Sequence, residues 1–302
     1  MTEFEFMLND RIAKIQAINA EYNLMDNAYI SYSGGKDSTV LNHLIDLALP
    51  QNNIKRVFIN TGIEYKDLLD HVKQQQQKDS RIEIVNANIN IKDMLLKYGY
   101  PMISKEHSQK LATYQNSGLT KTITDYLGQG QKTNFLCKDI FKYQFSNFFK
   151  IKVSDKCCKI LKKETAKQYG KNNKKKITIT GIRAAEGGNR KSIKNCVVYY
   201  EDSNKLKKFH PLLICDNNFI NAYIKTYNLD LCRLYKPPFN FRRTGCKGCP
   251  FNPNLQEQLD IMAVYLPTEY KQCLNIWQPI YNEYKKIGYR LTAEKDLFSV
   301  NL

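Results

Sequence analysis

The chain has 302 residues, 42% of them hydrophobic and 12% aromatic, and a formal charge of +17 at pH 7. That length allows a sizeable core and one or two folding units, and no apolar run of 18 residues is present to cross a bilayer as a helix. Residues 1–9, with Glu3 and Glu5, lack the basic and apolar regions of a secretory signal, so a cytoplasmic location is expected, in which nine cysteines do not form a disulfide framework.

In chain order, Phe6, Ile12, Ile15 and Ile18 recur at helical spacing, predicting a leading amphipathic helix over residues 4–23. Residues 28–32 form a short apolar stretch that ends in a glycine loop and reads as a buried strand, and residues 39–49 read as a helix closed by Pro50. Residues 56–60 then read as a strand stopped by Thr61-Gly62, 65–77 as a helix, 81–86 as a third strand and 177–180 as a fourth. Strands alternating with helices at this spacing predict an α/β fold, a parallel twisted sheet with flanking helices wound right-handed. Between them lies an insertion, residues 104–156, polar first and then aromatic (Phe141, Tyr143, Phe145, Phe148, Phe149). It reads as a lid or a helical packing segment, core packing being the commoner use of such aromatic density. From residue 217 the pattern is helical again. The expected organisation is an N-terminal helix over 1–24, a nucleotide-binding α/β domain over 25–200 carrying the insertion, and a mainly helical region over 201–302.

Ser33-Gly34-Gly35-Lys36-Asp37-Ser38 joins the first strand to its helix. A Walker loop needs glycine at position 30 and Ser or Thr at 37; Ile30 and Asp37 exclude it. What remains is an anion cradle: glycines admit backbone N–H groups, the helix N-terminus adds partial positive charge, Ser33 and Ser38 offer hydroxyls, and Lys36 a point charge. Asp37 is expected either to hold Mg²⁺ or to favour the first helical turn.

The six-residue string resembles the PP-loop of the adenine nucleotide α-hydrolase enzymes, which include ATP pyrophosphatases and sulfonucleotide reductases. That resemblance implies a Rossmann-like sheet with the nucleotide at its C-terminal strand ends and attack at the α-phosphate. The segment Phe58–Glu64, with Asn60, Thr61, Gly62 and Glu64, looks like the stretch after the second strand of the phosphoadenosine phosphosulfate (PAPS) reductase family, although Asn60 stands where that family commonly has Asp. Gly181, Arg183 and Arg190 look like that family's arginine-bearing segment, and paired arginines suit a bidentate grip on phosphate or sulfate. With Ser31 at the strand end, these residues make up the expected nucleotide site, and Lys36, Asp37 and Arg183 are its expected catalytic groups.

Cys157-Cys158 and Cys246-Lys247-Gly248-Cys249 form a tandem pair and a distant spaced pair. Four thiolates suit a [4Fe-4S] cluster, and a tandem pair is unusual for tetrahedral zinc, which stays the alternative. The arrangement resembles the cluster signature of iron–sulfur adenylyl-sulfate (APS) reductases. Sulfonucleotide reductases also carry a nucleophilic cysteine in a C-terminal tail, and residues 293–302 contain none; among the remaining thiols, Cys137 is the candidate substitute. The expectation is therefore an iron–sulfur ATP pyrophosphatase that adenylylates an acceptor for sulfur transfer, with Mg²⁺ and ATP, a sulfur-donor protein and a nucleic-acid acceptor as the implied company. Two alternatives stand beside it: an APS/PAPS reductase, and a non-catalytic nucleotide-binding or defence-associated module. The charge attracts polyanions, and the run 171–176 with Lys205, Lys207 and Lys208 is the candidate patch, although a lysine-rich composition from an AT-rich genome accounts for the total equally well.

Overall fold

The computed structural model describes residues 1–131, 135–201 and 203–292, and the tail considered above lies outside them. The chain divides into two compact units, one made of Met1–Ala87 with Lys162–Thr244 and the other of Asn88–Leu161 with Gly245–Leu302.

The first unit holds a six-stranded sheet in the order β3-β2-β1-β4-β6-β5. β1 (Ala28–Tyr32) lies parallel to β2 (Lys55–Asn60) on one side and to β4 (Ile177–Thr180) on the other; β3 (Ile82–Asn86) extends the sheet beyond β2. All four strands were expected from the sequence, within a residue of these bounds. Beyond β4, β6 (Leu206–Phe209) runs parallel to it and β5 (Val197–Tyr199) antiparallel to β6. These two were not foreseen, because Lys207 and Lys208 hide a strand whose pairing sets Phe209 beside Ile179.

Alternation of side chains sends Ala28, Ile30, Ile177, Ile179 and Phe209 to one face. There they pack with the helices Glu3–Tyr22, Lys36–Ala48 and Asn217–Thr226 in the main core. Helix Lys36–Ala48 buries Val40, Leu41, Leu44, Ile45 and Ala48, one stripe at helical period. Each fully buried aliphatic side chain there contributes about 1.5–3 kcal/mol relative to exposure. The opposite face, through Tyr29 and Val57, packs on Tyr169 of helix Thr165–Asn172. Helices thus flank both faces of the sheet. The loops at the C-terminal ends of β1, β2 and β4 lie where the chain leaves β1 for opposite sides, the switch point at which open α/β sheets bind ligands.

The second unit is helical, with Ile91–Tyr98, Lys105–Ser117, Leu255–Tyr265 and Pro267–Lys286 as its longer elements. From the aromatic insertion, Phe141 and Phe145 are buried, each with its ring 5.5 Å from that of His107. The His107 ring nitrogens meet the Tyr126 hydroxyl at 3.0 Å and Gln144 Oε1 at 2.8 Å. Burial pulls this imidazole down to about 4, so it is a neutral core residue at physiological pH. Phe148 is exposed.

Candidate functional site

The loop after β1 is closed by its own hydroxyls. Ser33 N–H and Oγ meet Ser38 Oγ at 3.2 and 3.0 Å, Gly35 N–H donates to Ser33 Oγ at 3.3 Å, and Ser38 Oγ–H donates to Gly35 O at 2.9 Å. Gly34 has φ +69°, and a Cβ there would come within 2.8 Å of Val72 and 2.9 Å of Leu68 on helix Lys66–Lys78. Both the backbone and the space demand glycine. Gly181, after β4, sits against the first turn of helix Lys36–Ala48, its Cβ position 3.1 Å from Asp37 O and 3.4 Å from Ser38 N. Ser31 is paired in register with Val57 and Thr180. The expected residues from β1 and β4 are therefore one cluster around one helix N-terminus.

The β2 loop is organised by its acid. Glu64 is 8% exposed and accepts from Thr61 N–H at 2.9 Å and from the Thr61 hydroxyl at 2.8 Å, with Lys162 Nζ 3.4 Å away. Asn60 Oδ1 accepts from Gly62 N–H at 3.1 Å, while its amide donates to Asn86 at 2.9 Å. Thr61, Glu64 and Asn60 thus shape the turn through their side chains.

Arg183 differs from the expectation. Its guanidinium was expected on a phosphate, but the residue is 2% exposed and makes three donations within the protein: Nε to Asp37 Oδ1 at 3.0 Å, Nη2 to Asn217 at 3.0 Å and Nη1 to Cys215 O at 3.3 Å. It ties the β4 loop and helix Asn217–Thr226 to Asp37. The sequence signal for an anion-binding arginine is the same as that for a buried bridging one, since both are an arginine at a strand end. Arg190 and Arg243 both pair with Glu186 while remaining substantially exposed, Arg243 at 3.1 Å. Asp37 is one-fifth exposed and takes the Arg183 Nε–H on Oδ1.

The four candidate cluster cysteines all belong to the second unit. Cys157 is buried, and Cys158, Cys246 and Cys249 are partly exposed. The Cys246–Cys249 loop is clamped by helix Pro267–Lys286: Trp277 Nε1 donates to Lys247 O at 3.1 Å, and the Tyr281 and Tyr284 hydroxyls donate to Gly248 O and Pro250 O at 2.5 and 3.0 Å. Gly248 has φ +61°, and a Cβ would lie 2.4 Å from the Tyr281 oxygen and 2.8 Å from Cys273 Sγ. Four thiols on a braced loop and a helix start are a donor set that suits iron–sulfur chemistry. Among the described residues, no three Cys, His, Asp or Glu side chains stand close enough to share an ion. Burial raises the thiols of Cys137, Cys215 and Cys273 to about 11, 12 and 12, and also raises Cys232. Burial thus works against the thiolate that Cys137 would need as the substitute nucleophile.

Comparison with known proteins bears on this site. Residues 27–127 and 131–252 match the phosphoadenosine phosphosulfate reductase domain, a span that contains the PP-loop, the β2 and β4 loops and all four candidate cluster cysteines. The chain belongs to that family. It is 25% identical over 293 residues to the uncharacterized protein MJ0973 of Methanocaldococcus jannaschii. The match takes in 93% of this chain and 55% of that protein, so the chain spans about half the length of this curated relative. Among solved structures it is similar to a PAPS reductase from Candida auris in complex with phosphate (TM-score 0.45, 14% identity, 77% of this chain and 87% of that one). It is also similar to Candida glabrata FMN adenylyltransferase in complex with ATP (0.48, 14%, 82% and 64%). A third is the U34-tRNA thiolase NcsA from Methanococcus maripaludis with its [4Fe-4S] cluster (0.40, 14%, 91% and 79%).

Proposed function

We propose that this PAPS reductase-family chain is an iron–sulfur ATP pyrophosphatase, cleaving ATP at the α-phosphate and passing the adenylyl group to an acceptor oxygen, after which a sulfur nucleophile bonds to the acceptor and displaces AMP. The observation that carries the reading is the closed Ser33–Ser38 loop at a helix N-terminus in a chain of this family. Reduction of a sulfonucleotide requires an activated thiolate to attack sulfur, and burial opposes that thiolate at Cys137, Cys215, Cys232 and Cys273. Cleavage of ATP requires only that charge on the departing pyrophosphate be stabilised.

Gly34 and Gly35 bring backbone amides to that charge, Lys36 adds a cation, and Ser33 and Ser38 hold the loop in the binding shape. Arg183 fixes Asp37 at the first helical turn, where its remaining oxygen can meet Mg²⁺ bound to ATP; that ion would neutralise phosphate charge. Arg190 and Arg243 supply accessible guanidinium groups for the rest of the nucleotide. Cys157, Cys158, Cys246 and Cys249 would hold the [4Fe-4S] cluster, whose chemistry when bound is electron transfer or ligation of a sulfur species.

Incubation with ATP and Mg²⁺ is expected to release pyrophosphate, and neither APS nor PAPS is expected to yield sulfite with thioredoxin as reductant. Lys36→Ala should weaken ATP binding by about 1–3 kcal/mol, the cost of removing a charged hydrogen-bond partner. Calorimetry giving an unchanged affinity, or robust sulfite release, overturns the reading.

A nucleic-acid acceptor is supported by the sheet edge of the first unit. Tyr199 and Tyr200 are 43% and 41% exposed, Lys207 Nζ lies 5.2 Å from the Tyr200 ring centre, and Tyr200 donates to Lys176 O at 3.0 Å. Burial, with Lys163 and Lys207 nearby, lowers the Lys208 ammonium, as expected where cations crowd. Aromatic faces among lysines suit stacked bases and phosphates together. Lys207→Glu with Lys208→Glu should abolish RNA retardation at low salt while leaving ATP binding intact. Retention of RNA by that variant counts against this edge as the acceptor surface.

A further inference from the structure

The geometry assigns two further residues, Tyr235 and Thr244, to the phosphate cradle of the PP-loop, an inference that rests on the loop's binding nucleotide phosphate as proposed above. Both come from the stretch after the last strand, some 200 residues beyond the loop in sequence. Gly35 has φ −84° and ψ 163°, a conformation open to any residue, so backbone geometry does not explain a glycine there. What surrounds it does. A Cβ on Gly35 would lie 3.0 Å from the Tyr235 hydroxyl, 3.3 Å from Ser33 Oγ and 3.7 Å from Thr244 Oγ1. Three hydroxyls, one from the loop itself and two from the later stretch, converge on the backbone at Gly35.

The two hydroxyls form a unit. Tyr235 Oη and Thr244 Oγ1 are 2.8 Å apart, and the Tyr235 oxygen faces the backbone amides of Lys36 and Thr244, with the Asp37 carboxylate nearby. The stretch carrying them is anchored on the neighbouring helix. Arg233 pairs with Asp67 at 2.7 Å, the Phe241 and Tyr65 rings meet at 5.4 Å, and Phe241 N–H donates to Leu234 O at 2.8 Å, closing the loop around Tyr235. Burial raises the Tyr235 phenol, so it stays a neutral O–H at physiological pH. A hydroxyl has one proton to give and lone pairs to accept with. Tyr235 can therefore keep an amide N–H on its oxygen while turning its proton from Thr244 to a phosphate oxygen, with the Thr244 hydroxyl following. Neutral donors of this kind bind phosphate oxygens without the ion pairing that would hold back a departing pyrophosphate. The ligand class is the phosphate chain of a nucleoside triphosphate and, after cleavage, pyrophosphate itself.

The test is calorimetric titration of the full chain with ATP and separately with inorganic pyrophosphate. Five proteins are compared: the parent, Lys36→Ala, Tyr235→Phe, Thr244→Val and the Tyr235→Phe/Thr244→Val double variant, each checked for an unchanged unfolding midpoint. Tyr235→Phe and Thr244→Val each remove one oxygen and keep the shape. Each is expected to weaken both ligands about three- to tenfold, the range for a single neutral hydrogen bond. The double variant should lose less than the product of the two, because the hydroxyls share a bond. If Lys36→Ala weakens binding while Tyr235→Phe and Thr244→Val leave it unchanged, the loop binds phosphate and the two hydroxyls are scaffold, so the inference fails alone. Tighter binding by Tyr235→Phe would show the phenol to be a plug in the seat and overturns it equally. A parent that takes up neither ligand overturns the inference and the nucleotide reading together.

Discussion

Replacing Arg183 by Ala is expected to lower the free energy of unfolding by about 3–5 kcal/mol, the penalty for leaving a buried ion pair with one partner. The guanidinium is 3% exposed and donates to Asp37, Asn217 and Cys215 O, so truncation strands three acceptors at once. Asp37 can recover some hydration, being 21% exposed, which places the expected loss toward the lower end of that range. Arg183→Lys keeps a charge but cannot reach three acceptors from one planar fork, so it should recover part of the loss and not all of it. Urea unfolding measures both. An arginine whose task was to grip the α-phosphate would behave differently: the folded chain would keep its stability and only ATP turnover would fall. A stability change below about 0.5 kcal/mol, the scale of a surface substitution, with turnover lost, would return Arg183 to the role first expected of it.

The second large effect concerns the cysteines. Anaerobically purified chain is expected to be brown, to absorb near 400 nm and to contain about four irons, and Ser at Cys157, Cys158, Cys246 or Cys249 should each remove most of the iron. Cys273→Ala serves as the control, because its thiol lies against Gly248 with a raised pKa of about 12 and is expected to leave the iron in place. Losing metal should also loosen the loop that helix Pro267–Lys286 braces, seen as faster amide exchange around residues 246–250. A colourless protein with one bound zinc defeats the cluster assignment, and iron retained in all four Ser variants defeats the choice of ligands.

How much of this was legible in advance follows from how far apart the interacting groups lie in the chain. Strands β1 to β4 and the helix after β1 announce themselves by apolar runs and by glycines placed between them, signals that span ten residues or fewer. β6 does not, because Lys207 and Lys208 disguise a strand whose place is set by backbone pairing to Thr178 and Ile179. The PP-loop string was recognisable because an anion cradle needs glycines, hydroxyls and a lysine in contiguous order.

The amino-acid sequence alone therefore determined the fold class, the phosphate loop and the family, since each depends on short-range pattern. Tertiary structure decided the rest. It set Arg183, expected on a phosphate, against Asp37, Asn217 and Cys215 O with almost none of its surface open to solvent. It buried Cys137, where desolvation opposes the thiolate whatever its neighbours in sequence. It also brought Tyr235 and Thr244 to Gly35, a meeting that no local pattern encodes, because a hydroxyl becomes a ligand only through the distance that folding gives it.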